Sequence, residues 1–208
     1  MKKKELRKKI TIIGINYFPE DTAIGLYTTQ LAEYLVQNDV QVEVITGFPY
    51  YPAWRIGSSY KNSKSFLKES INGITIYRYK QYVPKNPTFF NRIIHLIDFS
   101  LGTFINIFKI KSTDVVLCVV PFIGSVFLGK VLAKLKKAKL WVHVQDFEFD
   151  AASDSNLIVN NNVFFRVLFY IEKKLLSSAD LISTISASMV SKLKNKAPNS
   201  NNKLLPNW

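Results

Sequence analysis

Short apolar runs rich in Val and Ile alternate along this chain with longer stretches in which apolar residues return every three or four positions. "KITIIGI" (9–15) reads as a first strand, and "QVEVIT" (41–46), alternating and β-branched, as a second. "GITIYRY" (73–79), "KLWVHV" (139–144) and "DLISTI" (180–185) predict further strands, and "KLLP" a short last one. "DVVLCVV" (114–120) is continuously apolar, as in a strand covered on both faces of a parallel sheet. Between these runs lie helical patterns. Ile24, Tyr27, Leu31 and Leu35 share one face of a helix that ends near residue 38. Further helices are expected over about 88–109 and 122–136, through Val163, Val167, Tyr170, Ile171 and Leu175, and across "SASMVSKLK".

This β–α alternation predicts a doubly wound α/β domain with a mostly parallel, Rossmann-like sheet. Ligands of such sheets bind beyond the carboxyl ends of the strands. Three loops therefore matter most: "NYFPEDTAIG" after the first strand, "GFPYYPAW" after the second, and "QDFEFDAASD" after "KLWVHV".

Composition narrows the picture. At 208 residues, 48% of them apolar, with 15 Phe, 10 Tyr and 3 Trp, the chain is suited to one large packed domain. No apolar run reaches the roughly 18 to 20 residues of a spanning helix. The nearest, "IIHLIDFSLGTFINIF", is broken by His95, Asp98 and Asn106 and reads as an interfacial or buried helix. Cys118 has no second cysteine to pair with, which fits a reducing, cytoplasmic setting. The net charge of +13 is partly local: a basic leader (residues 1–8) and a cluster from Lys130 to Lys139. Each is either a solvated face or an attraction to something anionic. The lysines lack interleaved aromatics, and no helix-turn-helix, RRM or KH signature is present, so no nucleic-acid partner is expected.

Familiar cofactor motifs are missing. There is no G-x-G-x-x-G after the first strand and no Walker A run. One Cys and two His make a metal cluster improbable, so neither metal nor cofactor is expected. In the first loop Pro19 and Glu20 shape a turn, Thr22 can cap the helix, and Gly25 falls in its first turn. The bare backbone at Gly25 suits either approach of a phosphate to the helix N-terminus or close packing. Tyr50, Tyr51 and Trp54 either stack on sugar rings or touch lipid, or else plug the space under a long loop. In "WVHVQDFEFD", His143 and Gln145 share a side of the strand, Asp146 stands at its exit, and Glu148 and Asp150 follow. Carboxylates there suit general-base work or the orientation of a hydroxyl, while His143 equally fits a hydrogen-bonded core position.

The segments "KITIIGINYFPEDTAIGLYTTQLAEYL", "VITGFPYYPAWRI", "YVPKNP", "LWVHVQDFEFDA", "STISASM" and "LLPNW" occur in this order. Together they resemble the N-terminal half of family-4 glycosyltransferases, nearest to the colanic acid and fucosaminyl-transferase branch. The resemblance implies the N-terminal half of a GT-B fold, in which two Rossmann-like domains face a cleft. Residues 9–203 would form the acceptor-side domain and residues 204–208 the start of a hinge to a C-terminal domain outside these residues. It further implies a retaining transfer from a nucleotide-sugar to a lipid-linked or polysaccharide acceptor, at the inner leaflet of the membrane. Gly25 and Thr22 would then face the donor diphosphate; Tyr50, Tyr51, Trp54 and Glu148 would contact the acceptor. Asp146, Gln145 and His143 would form the catalytic group, with Gln145 where many relatives carry histidine. "GFPYYP" stands where relatives often read "PPYYP". The competing expectation is a truncated, non-catalytic remnant or a membrane-associated binding module.

Overall fold

The protein is described by a computed structural model covering residues 8–147 and 163–207. The leader up to residue 7, Glu148, Asp150 and Trp208 lie outside the described residues. The chain runs β1 (Lys9–Ile13), α1 (Ala23–Gln37), β2 (Gln41–Gly47), α2 (Ser58–Lys61), β3 (Phe66–Ile71), β4 (Ile74–Tyr79) and α3 (Phe89–Ile107). It continues β5 (Val115–Val120), α4 (Ile123–Lys136), β6 (Lys139–Val144), α5 (Val163–Leu176), β7 (Leu181–Thr184), α6 (Ala187–Lys196) and β8 (Asn202–Leu204).

The eight strands of the described residues join one sheet in the order β3-β4-β2-β1-β5-β6-β7-β8. Every pairing is parallel except β3 with β4. From β1 the chain steps through α1 to β2 on one side. From β5 it steps through α4 to β6 on the other. The switch point of this doubly wound sheet therefore lies between β1 and β5, whose register sets Ile13 beside Cys118.

Both faces of the sheet are covered, which explains why β1 and β5 are so apolar. One core layer packs Ile13, Ile45, Cys118 and Val142 with Phe99 of α3, Leu128 and Leu132 of α4, Leu176 of α5 and Leu193 of α6. The other packs Ile12, Val44, Ile76 and Leu117 with Ala32 of α1. The most buried face of α1 is made of the small residues Gly25, Thr28, Thr29 and Ala32, with Ile24, Leu31 and Leu35 flanking it. Small side chains let this helix lie close to the strands. At Gly129 of α4 a Cβ would fall 2.0 Å from the Cys118 sulfur, so α4 approaches β5 equally closely.

Two elements differ from the expectation of one long loop between the second and third predicted strands. β3 is an edge strand, paired antiparallel with β4 through a turn at Asn72 and Gly73, both at positive φ (51° and 78°). α2 is a single turn just before it.

Candidate functional site

The carboxyl ends of β1, β2 and β4 meet in a knot of buried polar groups. The loop after β1 turns through a bond from the Glu20 N–H to the Tyr17 carbonyl. It is held to α1 where the Phe18 N–H donates to Thr29 Oγ1 (3.0 Å), whose own hydroxyl donates to the Gly25 carbonyl (2.8 Å). Glu20 then reaches across to the next loop. Its Oε1 accepts from the backbone N–H groups of Tyr50 (2.8 Å) and Tyr51 (2.9 Å), and its Oε2 from Asn16 Nδ2 (2.8 Å). Glu20 is buried, and burial pushes its carboxyl above the usual range; the three donors and Arg78 pull it part of the way back.

Gly25 explains how this carboxylate fits. A Cβ at position 25 would lie 2.9 Å from Glu20 Cβ and 3.0 Å from the Glu20 carbonyl oxygen. The missing side chain admits the Glu20 turn over the N-terminus of α1. Thr22 occupies the N-cap position with extended backbone, but its side chain makes no capping hydrogen bond, which corrects the expected cap.

Arg78 on β4 is fully buried and ties three segments. Its Nη1 donates to the Gly47 carbonyl (3.0 Å), its Nη2 to the Phe18 carbonyl, and its Nε pairs with Glu69 of β3. Gln81 forms a two-way amide clasp with Phe48: Phe48 N–H to Oε1 (2.7 Å) and Nε2 to the Phe48 carbonyl (2.9 Å). A Cβ at Gly47 would lie 2.7 Å from this amide, so the glycine makes room for the clasp. The neighbouring Phe48 is buried and packs against Tyr60. These contacts give the "GF" in "GFPYYP" a physical reason.

The aromatic loop divides in two. Tyr50 is buried (7% exposed) and stands edge-on to Trp54 and to His95 of α3, with centroids 5.3 and 4.6 Å away. Trp54 is half-buried, carries the Arg92 guanidinium over its ring, and sits at positive φ (49°). Tyr51 is open to solvent (41% exposed). His95 bonds through Nδ1 to the Tyr82 carbonyl; its buried Nε2 has no hydrogen-bond partner, and burial lowers its pKa. A cavity of about 810 Å3 opens beside this loop, with Glu20, Asp21, Tyr50, Tyr51, Arg55 and Tyr60 in its wall.

The β6 exit lies two strands from β1. Asp146 is exposed, and its Oδ1 accepts from the Phe147 N–H (2.7 Å). Gln145 is partly buried and accepts from Asn207 Nδ2 (3.2 Å), which ties the chain after β8 to this exit. His143 is not at the exit. It lies inside the sheet (3% exposed), with Nδ1 2.8 Å from Ser183 Oγ, and burial lowers its pKa to about 4. It therefore occupies the hydrogen-bonded core position that was one of its two expected readings. The structure thus brings Gly25, Thr22, Tyr50, Tyr51 and Trp54 into one neighbourhood and leaves Gln145 and Asp146 on the far side of β5. No group of three or more His, Cys, Asp or Glu suited to a metal ion occurs among the described residues.

Sequence reasoning read Glu20 as part of a turn, which it is, but missed its reach to the next loop, and missed Arg78, Gln81 and His95 as the parts that hold the loops. A charged residue inside "TIYRY" was the one signal for Arg78, because a strand covered on both faces has no exposed side for it.

Residues 22–208 match the glycosyl transferase 4-like domain family. The chain is 34% identical over 205 residues to the putative colanic acid biosynthesis glycosyl transferase WcaI of Escherichia coli (strain K12). That match covers 96% of this chain and 50% of WcaI, so the chain spans about half the length of this curated relative. Among solved structures it is similar to a sucrose-phosphate synthase from Thermosynechococcus elongatus, with TM-score 0.57 and 14% identity over 96% of this chain and 88% of that one. It is also similar to the catalytic domain of starch synthase IV from Arabidopsis thaliana bound to ADP and acarbose. There the TM-score is 0.60 and the identity 13%, over 95% of this chain and 51% of that one. At these identities the two structures speak for the fold.

Proposed function

The chain belongs to the glycosyl transferase 4-like family, and on that premise we propose that it is the acceptor-side half of a glycosyltransferase. It receives a lipid-linked or polysaccharide acceptor and presents a hydroxyl of that acceptor to a sugar carried on a nucleotide. The setting is the synthesis of a bacterial surface polysaccharide, on the cytoplasmic face of the inner membrane. The observation that carries this reading is the Glu20 clasp. It fixes two loops at the carboxyl ends of β1 and β2 around a cavity of about 810 Å3, beside an open Tyr51. Rigid aromatic walls suit a sugar ring, whose C–H faces pack on the aromatic face.

The donor sits on a second domain, joined through a hinge that starts at about residue 204. The N-terminus of α1, with Thr22 exposed and Gly25 making room for the Glu20 turn, faces the donor diphosphate across the cleft; helix N-termini favour anions. Burial raises the pKa of Glu20 and its donors share its charge, which lessens its repulsion of that diphosphate. Asp146 orients the acceptor hydroxyl; in the retaining transfer the hydroxyl oxygen attacks the anomeric carbon from the face the diphosphate leaves, and the departing diphosphate oxygen takes up the hydroxyl proton as its own bond to that carbon breaks. Gln145 holds the strand exit through Asn207, and His143 supports it from below through Ser183.

The test joins this chain to the C-terminal half of the E. coli relative. Sugar transfer is then followed from a panel of nucleotide-sugars to polyprenyl-diphosphate-linked sugars. Transfer is expected from the joined halves and not from either alone. Asp146→Asn is expected to lower kcat by about 100-fold, the usual cost of a misplaced reacting hydroxyl. Tyr51→Ala is expected to raise KM about three- to tenfold, as for one lost aromatic contact. A folded joined protein that binds the acceptor yet transfers nothing would instead support the binding-module reading.

A further inference from the structure

Most large apolar side chains exposed among the described residues lie on one face of the molecule. On α3 the outer stripe is Ile94, Ile97, Leu101 and Ile105, continued by Phe108 at the helix end, each more than 50% exposed. On α5, Val163, Val167, Tyr170 and Ile171 point outward, and on α4, Phe127 and Leu135 do so. These three helices cover the same face of the sheet. The opposite helix, α1, exposes one large apolar side chain, Tyr34. Such a one-sided apolar layer is far from the scattered exposure of an ordinary surface.

Charge says what covers it. The exposed polar positions of these helices include Arg92, Lys130, Lys134, Arg166, Lys173 and Lys174. Their two carboxylates are turned away. Asp98 accepts from the Tyr79 hydroxyl (3.1 Å) and the Tyr82 N–H (2.6 Å), and Glu172 is buried against Lys196 (2.7 Å). An apolar stripe flanked by cations with no outward carboxylate is the pattern of a helix lying in a lipid–water interface. No helix among the described residues is long and apolar enough to cross a membrane. The 19 residues of α3 span about 28 Å, enough to lie along the surface as a contact line.

We propose that the layer formed by α3, α4 and α5 is a membrane-docking face, with its apolar stripe set into the headgroup–acyl boundary of an anionic leaflet. This deepens the lipid-linked acceptor reading and rests on it for the choice of a leaflet as occupant. The amino end of α3 packs under the aromatic loop, where Arg92 covers Trp54 and His95 meets Tyr50. Docking by this face would put the cavity at the membrane border, where an acceptor headgroup could enter while its lipid tail stays in the leaflet.

The test needs neither donor nor acceptor, so its failure and that of the transferase reading are separable. Cys118 is fully buried, which leaves a single introduced cysteine as the labelling site. Leu101→Cys and Tyr34→Cys, at positions 70% and 60% exposed, are each labelled with a polarity-sensitive dye and mixed with phosphatidylglycerol or phosphatidylcholine vesicles. A blue shift is expected at position 101 with phosphatidylglycerol and not at position 34. In flotation, Ile94→Ser combined with Leu101→Ser and Ile105→Ser is expected to lower partitioning about 1,000-fold, since each lost aliphatic costs roughly a factor of ten. Equal shifts at both positions, equal binding of the two lipids, or no vesicle binding would overturn the proposal. So would a concentration-dependent shift at position 101 without lipid, with a dimer in sedimentation, because the occupant would then be a second copy.

Discussion

At the scale of single residues, Glu20 is the pivot of the candidate site, and its removal has a defined cost. Glu20→Ala leaves the buried amide of Tyr50 and the part-buried amide of Tyr51 without this acceptor. Losing such partners costs about 1 to 3 kcal/mol per group, so urea denaturation should show a loss of about 2 to 5 kcal/mol. Gly25→Ala should reproduce part of that loss, because its methyl meets the Glu20 main chain rather than a flexible side-chain end. The pH dependence has a definite sign. The carboxyl of Glu20 is raised in the folded state, so its contribution is complete below the ordinary value of 4.5 and is lost as pH rises through the folded value. Glu20→Gln should remove that loss. His143 acts at the acidic end. Its pKa falls from 6.5 to about 4, so the unfolded chain binds more protons between those values. Stability should be full above pH 6.5 and fall by up to roughly 3 kcal/mol towards pH 4. His143→Asn should flatten that share of the acid limb in denaturation curves collected across the range. If the variant kept the full acid sensitivity, the burial of His143 would not be its source.

At the scale of elements, the strands of the parallel sheet were legible because burial on both faces demands apolar runs, as in "DVVLCVV" and "KITIIGI". β3 was not, because an edge strand pairs on one side only. Its Lys68, Glu69 and Ser70 look like loop residues. The signal that would have found it is Asn72-Gly73, a dipeptide suited to the two positive-φ positions of a tight hairpin. The periodicity of α5 was legible, but not its direction: most of the apolar stripe read from the sequence faces outward. Spacing shows that a face exists, and only packing shows which side the sheet takes. The same limit applies to α1, whose small residues, not its Leu and Ile, meet the strands most closely. Arg78 gives the element-scale test. It joins β4 to β3 and to the loops after β1 and β2 from a fully buried position. Arg78→Ala strands the Glu69 carboxylate and two carbonyls and should cost about 3 to 5 kcal/mol. The Glu69→Ala, Arg78→Ala double variant should lose clearly less than the sum of the two single changes. Additive losses would mean that the pair is not coupled.

At the scale of the whole molecule, the sheet order places the switch point between β1 and β5, and the loops after β1 and β2 singled out from the sequence meet at the carboxyl ends of their strands. The aromatic loop and the Gly25 turn were legible as strand-end loops because Pro, Gly and clustered aromatics punctuate the pattern there. What joins them was not legible, since Glu20 meets Tyr50 thirty residues away through main-chain groups that no residue pattern records. The molecule thus has a polar, cavity-bearing rim at the strand ends and an apolar, cationic helical side next to it. Both suit a protein that works on an acceptor anchored in lipid. The most direct measurement is equilibrium binding of a polyprenyl-diphosphate-linked sugar to this chain alone, in detergent, by titration calorimetry. Binding should be saturable and weakened by Tyr51→Ala and Trp54→Ala, while nucleotide-sugars alone should bind far more weakly. Tight binding of a nucleotide-sugar, with no response to any lipid-linked or polysaccharide acceptor, would contradict the assignment of this half to the acceptor side.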